Sequence, residues 1–231
     1  FLIAKAYMSV VIGGGFASGR EVIQFFTGYG VGGIGGSLIA AFLFAFVGMQ
    51  IAQISSRMTI KCHDKVLTSL FGPTGGALVD YILIFFLYGV GVIMLAGAGA
   101  TLHQHFEWNF MVGSLIMTAF VILTLCLNLK SIIYLISLVI PFLLLIILAI
   151  MVYSIFTGNY DFAAQNVHAA QYEVIELLGW TVPSWALSGV LYAAFNVGVG
   201  FPMLAVIGGM TESEREAGQG GILGGLGLGI L

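Results

Sequence analysis

The sequence predicts an all-α, polytopic helical membrane protein, and three observations carry that prediction. Of 231 residues, 60% are hydrophobic and only 7% are charged, whereas a soluble domain carries about 25% charged residues to cover its surface. Apolar runs recur along the chain, and several reach the roughly 20 residues that cross a bilayer as a helix. Five of the seven basic residues fall on alternate connections between those runs, and a sixth, Lys5, precedes the core of the first run on the same side, as the positive-inside rule requires of a chain that threads a membrane repeatedly. The net charge of -3 is uninformative beside this distribution. The few basic residues form no patch, so no nucleic-acid partner is expected.

The spans follow in order. Span one covers residues 2–29, span two 34–55, span three 77–102, span four 109–127, span five 131–156 and span six 184–210. A seventh opens near Gly218. Lys5, Arg57, Lys61, Lys65, Lys130 and Arg215 all fall on one side if these spans alternate. The opposite connections, 30–33, 103–108 and 157–183, contain no Lys or Arg. The chain is therefore expected to be multi-pass, with the N-terminus cytoplasmic. The chain lacks an initiating Met and stops inside an apolar run, so a fragment of a longer protein is expected. Cys62 and Cys126 lie at or near cytoplasmic ends and are expected to be reduced.

Two connections have patterns of their own. In the loop between spans five and six, residues 163–178 suggest an amphipathic helix on the outer surface, with Trp180 and Trp185 at interfacial depth. Residues 61–72 suggest a short amphipathic helix ended by Gly72-Pro73. The organisation is thus a first repeat over residues 1–157, an outer loop over 158–183, and the start of a second repeat over 184–231.

The chemistry is expected at two interruptions. Span one has its midpoint near Phe16, inside GGGFASG. Span six has its midpoint near Val197, inside NVGVGFP. Two spans five apart run in opposite directions, so paired mid-depth breaks are the mark of an inverted repeat of five plus five helices. Backbone groups freed at a break are too costly to leave against lipid and persist only where they line a cavity or hold a ligand. The N–H groups beginning the half-helix near Gly19 suit an anion. Carbonyls freed at residues 12–15 suit a cation, which places a candidate sodium site at the Ile12 and Gly15 carbonyls. The plainer alternative is that Gly15 and Gly19 form a GxxxG that packs one helix on another. A nucleotide loop would need a strand and a βαβ unit, which these spans cannot build.

The candidate substrate-binding residues are Gly13, Gly14, Gly15, Phe16, Ala17, Ser18 and Gly19 at the first break, and Asn196, Gly198, Gly200 and Phe201 at the second. Tyr88, midway along span three, adds a hydroxyl able to bind a carboxylate or to satisfy neighbouring backbone. Arg20 and Glu21 form either a gate or an ion pair that holds the half-helix. Asp80 reads as an interfacial carboxylate paired with Arg or Lys, with a proton or gate role as the alternative. His103, His105 and Glu107 sit two apart in a short outer loop and read as solvated residues. No metal site and no cofactor are expected, and no acid, base and nucleophile set suggests an enzyme.

Three blocks, VIGGGFASGREVIQFFTGYG, VIMLAGAGA and LYAAFNVGVGFPMLAVIG, resemble the YkvI-type bacterial membrane proteins, regarded as amino acid permeases of the amino acid–polyamine–organocation superfamily. The resemblance runs over nearly the whole chain. It implies the LeuT-type fold, with substrate held between the first and sixth helices. It also implies a symporter: a secondary transporter of a small amino acid or related organic solute, coupled to sodium or protons. Span five has no Lys or Arg after Lys130; some proton-coupled relatives place a Lys there, so its absence leans toward sodium. The alternative function is a membrane receptor that binds a small amino acid in the same cleft without transport. The expected partners are the lipid bilayer and a small-molecule substrate, with the oligomeric state open.

Overall fold

A computed structural model describes residues 2–13, 16, 19–59, 62–158, 166, 169, 172, 174, 176, 177 and 179–230. It is overwhelmingly helical. The helices are α1 (Leu2–Val11), α2 (Arg20–Phe25), α3 (Gly32–Arg57), α4 (Asp64–Phe106), α5 (Phe110–Leu125), α6 (Leu129–Thr157), α7 (Trp185–Gly209) and α8 (Glu214–Ile230). A 3-10 turn spans Thr27–Tyr29. Two short strands, β1 (Glu176–Leu177) and β2 (Trp180–Thr181), pair antiparallel. By length and composition, α3, α4 and α7 can each cross a membrane; at 26 residues, α3 measures about 39 Å, against a hydrocarbon core of about 30 Å.

Span one is divided, as its glycines predict. The first half, α1, turns Ile3, Tyr7 and Val11 inward at four-residue spacing, and Tyr7 donates a hydrogen bond to the Phe44 carbonyl at 3.3 Å. Helical geometry stops at Val11, and Gly13 bonds back only two residues, to the Val11 carbonyl. Gly19 then adopts φ +74° and opens α2. The short α2 ends with an otherwise orphaned carbonyl at Phe25, which the buried Ser188 hydroxyl satisfies at 2.7 Å. Gly14, Gly15, Ala17 and Ser18 lie outside the described residues.

Span six is not divided. Helix α7 runs from Trp185 to Gly209 straight through NVGVGFP. This corrects the expectation of a second break at residues 196–202. Glycine lowers helix propensity by about 1 kcal/mol, and proline removes one hydrogen bond. Neither cost opens a helix whose surface is otherwise filled. Here Phe201, Leu204 and Ala205 are all buried in the core, and Gly200 packs on Tyr7 and Val11.

Helix α4 holds a sharp kink at Gly72, with φ 76° and ψ 174°. Pro73 excludes its predecessor from helical geometry and opens the following helix well. The amphipathic piece expected before Gly72-Pro73 is therefore present, and it buries Val66 and Leu67. That φ/ψ region is open essentially only to glycine. Gly72→Ala should cost about 1–3 kcal/mol through backbone strain alone, because open space surrounds the position. A thermal melt of the variant in detergent checks this.

Residues 163–178 fall mostly outside the described set, but Glu176 and Leu177 form a strand. The amphipathic helix expected there does not extend to its predicted end. Gly179, with φ +80°, makes the tight β1–β2 turn. Trp180 is exposed, and Trp185 packs over Gly32 and Gly35.

Helix directions follow from paired contacts. Gly36 meets Gly189 and Ala52 meets Gly208, so α3 and α7 run parallel. Gly48 meets Gly221 and Ala41 meets Gly229, so α3 and α8 run antiparallel. Ile3 meets Gly220 and Met8 meets Gly227, so α1 and α8 run parallel. Hence α1 opposes α7, and α3 opposes α8. At one end of the bundle, Ser56 donates to the Thr211 carbonyl at 2.7 Å, and Arg57 Nε donates to Glu214 at 3.2 Å. At the other, Tyr29 donates to the Val182 carbonyl at 3.0 Å.

The hydrogen-bonded Arg57 guanidinium holds the Glu214 carboxyl below the usual carboxylate range. A depressed folded-state pKa stabilises above the ordinary carboxylate pKa, and that contribution is lost as pH falls through the lowered value. The pair is exposed, so the effect is small. The melting-temperature advantage of wild type over Glu214→Gln should be present at neutral pH and vanish at strongly acidic pH.

Candidate functional site

The interruption between α1 and α2 adjoins a cavity of about 650 Å³, within the range of small-molecule sites. Phe16 from the interruption forms one wall. Phe26, Ser37 and Phe44 come from the chain between α2 and the middle of α3. Tyr192 closes it from α7, and Ala169 and Tyr172 contribute from the chain ahead of β1. Asn166 accepts a hydrogen bond from the Val31 amide at 2.9 Å, which ties that residue to the start of α3.

Tyr192 is the centre of an aromatic cluster. Its ring lies 5.1 Å from Phe25, 4.9 Å from Phe26 and 5.9 Å from Phe44, centroid to centroid. Edge-to-face geometry of this kind adds about 0.5–1.5 kcal/mol per pair beyond burial. The Tyr192 phenol lies against the Glu21 carboxyl. The Oε2 atom of Glu21 is out of solvent and accepts no hydrogen bond among the described residues.

The predicted residues divide among several places. Gly13 faces Met94 of α4, with room for a Cβ only 3.0 Å from Cε. Gly198 faces Phe86, whose ring meets Phe195 edge-on at 5.6 Å. The face of α4 that reaches the interruption is thus the Phe86–Met94 face. Tyr88 stands about 200° around the helix from Phe86 and is 70% exposed. It is not among the residues lining the cavity. Asn196 is 2% exposed and donates its amide to the Tyr192 carbonyl at 3.1 Å. Phe201 is in the core and Gly200 is filled against Tyr7. Asn196, Gly198, Gly200 and Phe201 are not among the residues lining the cavity. The sodium site expected at the Ile12 and Gly15 carbonyls includes Gly15, outside the described residues.

Arg20 and Glu21 do not pair with each other. Arg20 is exposed, and Glu21 is turned inward to Tyr192. Neighbours in a helix point about 100° apart, which is why adjacency in sequence did not make an ion pair. Among the described residues Asp80 pairs with His63, at 3.1 Å, and not with an Arg or Lys. The kink at Gly72 brings these two together. His103 and His105 each bond a backbone carbonyl through Nδ1, that of Trp108 and that of Thr101.

Apart from Phe16, the cavity walls were missed by sequence reading. Tyr192 carried a usable signal, because it lies four residues, one helical turn, before Asn196. Phe44 and Ser37 carried none, since an aromatic and a hydroxyl inside an apolar span look like any others.

The long apolar helices, and the broad apolar exposure of α4, α5 and α6, define the class: this is an all-α membrane protein, with lipid as the solvent of its outer faces. The chain is similar to "Uncharacterized membrane protein YkvI" of Bacillus subtilis (strain 168), 28% identical over 229 residues, which are 99% of this chain and 63% of that protein. It is also similar to "Uncharacterized protein YyaD" of the same organism, 26% identical over 229 residues, 96% of this chain and 60% of that protein. The resemblance to YkvI-type membrane proteins therefore extends over nearly the whole sequence. The chain spans about three fifths of the length of these relatives. No family model matches it, and no solved structure matches it significantly.

Proposed function

We propose that this protein is a secondary active transporter of a small amino acid or related organic solute, built on the LeuT-type plan of two inverted five-helix repeats. The observation that carries the reading is the interruption of span one beside a cavity of about 650 Å³. A membrane helix that surrenders backbone hydrogen bonds needs a cavity or ligand to receive them. The helix directions support the same reading: α1 opposes α7 and α3 opposes α8, as equivalent helices of two inverted repeats must.

On this plan the protein crosses the bacterial inner membrane repeatedly, with the Arg57 and Glu214 end cytoplasmic. The cavity opens toward the outer half. The solute would pass beside Phe16 and Tyr192 without covalent chemistry, and its coupling ion is sodium or a proton. Alternating access would rock α1, α3, α7 and α8 as a unit against α4 and α5. The test is uptake of labelled amino acids by proteoliposomes holding the full-length protein. Uptake driven by an imposed sodium or proton gradient is expected; no gradient-dependent uptake of any amino acid would count against the proposal.

A further inference from the structure

We propose that His63 and Asp80 form a pH-operated latch. It docks residues 62–71 against the start of span three when His63 is protonated, and releases them when His63 is neutral.

The backbone builds a hinged pair of arms. Gly72, at φ 76° and ψ 174°, turns the chain so that residues 62–71 run back along the helix that follows Pro73. The arms are antiparallel and close: a Cβ at Gly76 would lie 2.5 Å from the Thr68 Cα. About one turn further from the hinge, His63 Nε2 stands 3.1 Å from Asp80 Oδ1. Val66 and Leu67 give the segment its buried apolar contacts, and the ion pair holds its far end. Both polar atoms are out of solvent, and neither has another polar partner among the described residues. A carboxylate closed off from water needs a counter-charge. The protonated imidazolium supplies one, and the neutral imidazole does not. Docking is therefore linked to proton binding and weakens as pH rises. Histidine is the side chain that ordinarily changes charge between about pH 5 and 8. Of the four histidines, His103, His105 and His168 belong to the opposite connections, which leaves His63 at the end that carries Arg57 and Glu214. The charged and titratable neighbours are otherwise engaged or solvated. Cys62, Asp64 and Lys65 are exposed, and Arg57 is held by Glu214. Lys61 lies outside the described residues, and Lys130 belongs to the other inner connection. The segment also joins α3 to α4, which sit on opposite sides of the proposed rocking motion. A docked segment tethers them, so an acidified cytoplasm slows turnover. That consequence rests on the transport reading, whereas the latch itself needs no flux.

Pulsed electron–electron resonance on the full-length protein in nanodiscs tests the latch. Spin labels go on native Cys62 and on Leu125→Cys at the end of α5, in a background otherwise free of cysteine. Both positions are exposed, and labelling consumes the Cys62 thiol. One distance population is expected at about pH 5.5 and a second, absent there, at about pH 8, on the two sides of ordinary imidazole titration. His63→Gln should remove the pH dependence. His63→Lys, charged at both values, should keep the acid-side distance throughout and shows that the segment still docks when residue 63 is replaced. Asp80→Asn should abolish the alkaline release, because no carboxylate is left without its counter-charge. Identical distances at both pH values in wild type, a wild-type response in His63→Gln, or alkaline release persisting in His63→Lys or Asp80→Asn would each overturn the latch. Failure of gradient-driven uptake with the pH-dependent distance intact would refute transport and leave the latch standing.

Discussion

Replacing Gly225 with leucine is expected to destroy the packing of α8 on α3 and to leave little folded protein after detergent extraction. A Cβ at Gly225 would fall on the Ala45 nitrogen and the Phe44 carbonyl carbon, both backbone atoms of α3. One turn earlier, a Cβ at Gly221 would sit 2.5 Å from the Gly48 carbonyl oxygen. Backbone cannot rotate away as a side chain can, so the helices must separate along their contact. Lipid offers no hydrophobic drive to bring helices together; van der Waals contact between closely approaching backbones holds them. Even Gly225→Ala should cost about 1–3 kcal/mol, and leucine more. The control is Gly91→Ala in α4, where nothing lies within 4 Å of the added Cβ. That change should be neutral, or stabilise by up to about 1 kcal/mol through helix propensity. Fluorescence-detected size-exclusion after a temperature series measures both. Equal melting points for Gly225→Leu and wild type would mean that α8 does not sit on α3 as described.

The second large effect is expected from filling the cavity. Ser37 lines it from α3, is half-buried, and spends its hydroxyl on the Ile34 carbonyl one turn back. Ser37→Trp should put an indole into the space that the ligand needs, while relinquishing only a local hydrogen bond that the helix does not require. Ligand binding should fall at least about a hundredfold, or about 2.7 kcal/mol, with the melting temperature held or raised. Leu38→Trp is the matched control, because Leu38 is 67% exposed and points away from the cavity. Unchanged binding in Ser37→Trp would remove the cavity from consideration as a ligand site.

The fold was more legible in the sequence than the site, for a physical reason. Helix positions depend on apolar length, which composition displays directly. Residues 34–55 were expected and Gly32–Arg57 formed; residues 131–156 were expected and Leu129–Thr157 formed. The kink at Gly72-Pro73 was legible because proline constrains its predecessor locally. The first interruption was legible for the same kind of reason, and Gly19 at φ +74° bears it out at the one glycine of ASG that the structure describes. The second was over-read. NVGVGFP and GGGFASG look alike as breaker-rich segments, but a helix interior tolerates glycine when its neighbours fill the surface, as Tyr7 and Val11 do at Gly200. Whether a breaker breaks is a tertiary question.

The site shows the same limit. Tyr88 was chosen by depth along its helix, and depth says nothing of rotation. Phe86 and Met94 occupy the inward face, and an all-apolar helix gives no polar stripe from which rotation can be read. Asn196 was placed at the correct depth, yet its amide bonds its own helix. Glu21 was singled out beside Arg20, but its structural neighbour is Tyr192, a residue 171 positions away in sequence. Long-range pairs of this kind carry no local signature.

The central claim is that the cavity beside the interrupted helix serves movement of solute across the membrane. The most direct measurement pairs equilibrium binding and flux in one preparation of the full-length protein, reconstituted in proteoliposomes with a panel of labelled amino acids and related organic solutes. Saturable binding accompanied by gradient-driven accumulation of the same compound, both lost in Ser37→Trp, is the predicted result. Saturable binding with no flux under either a sodium or a proton gradient would contradict it and make the protein a receptor.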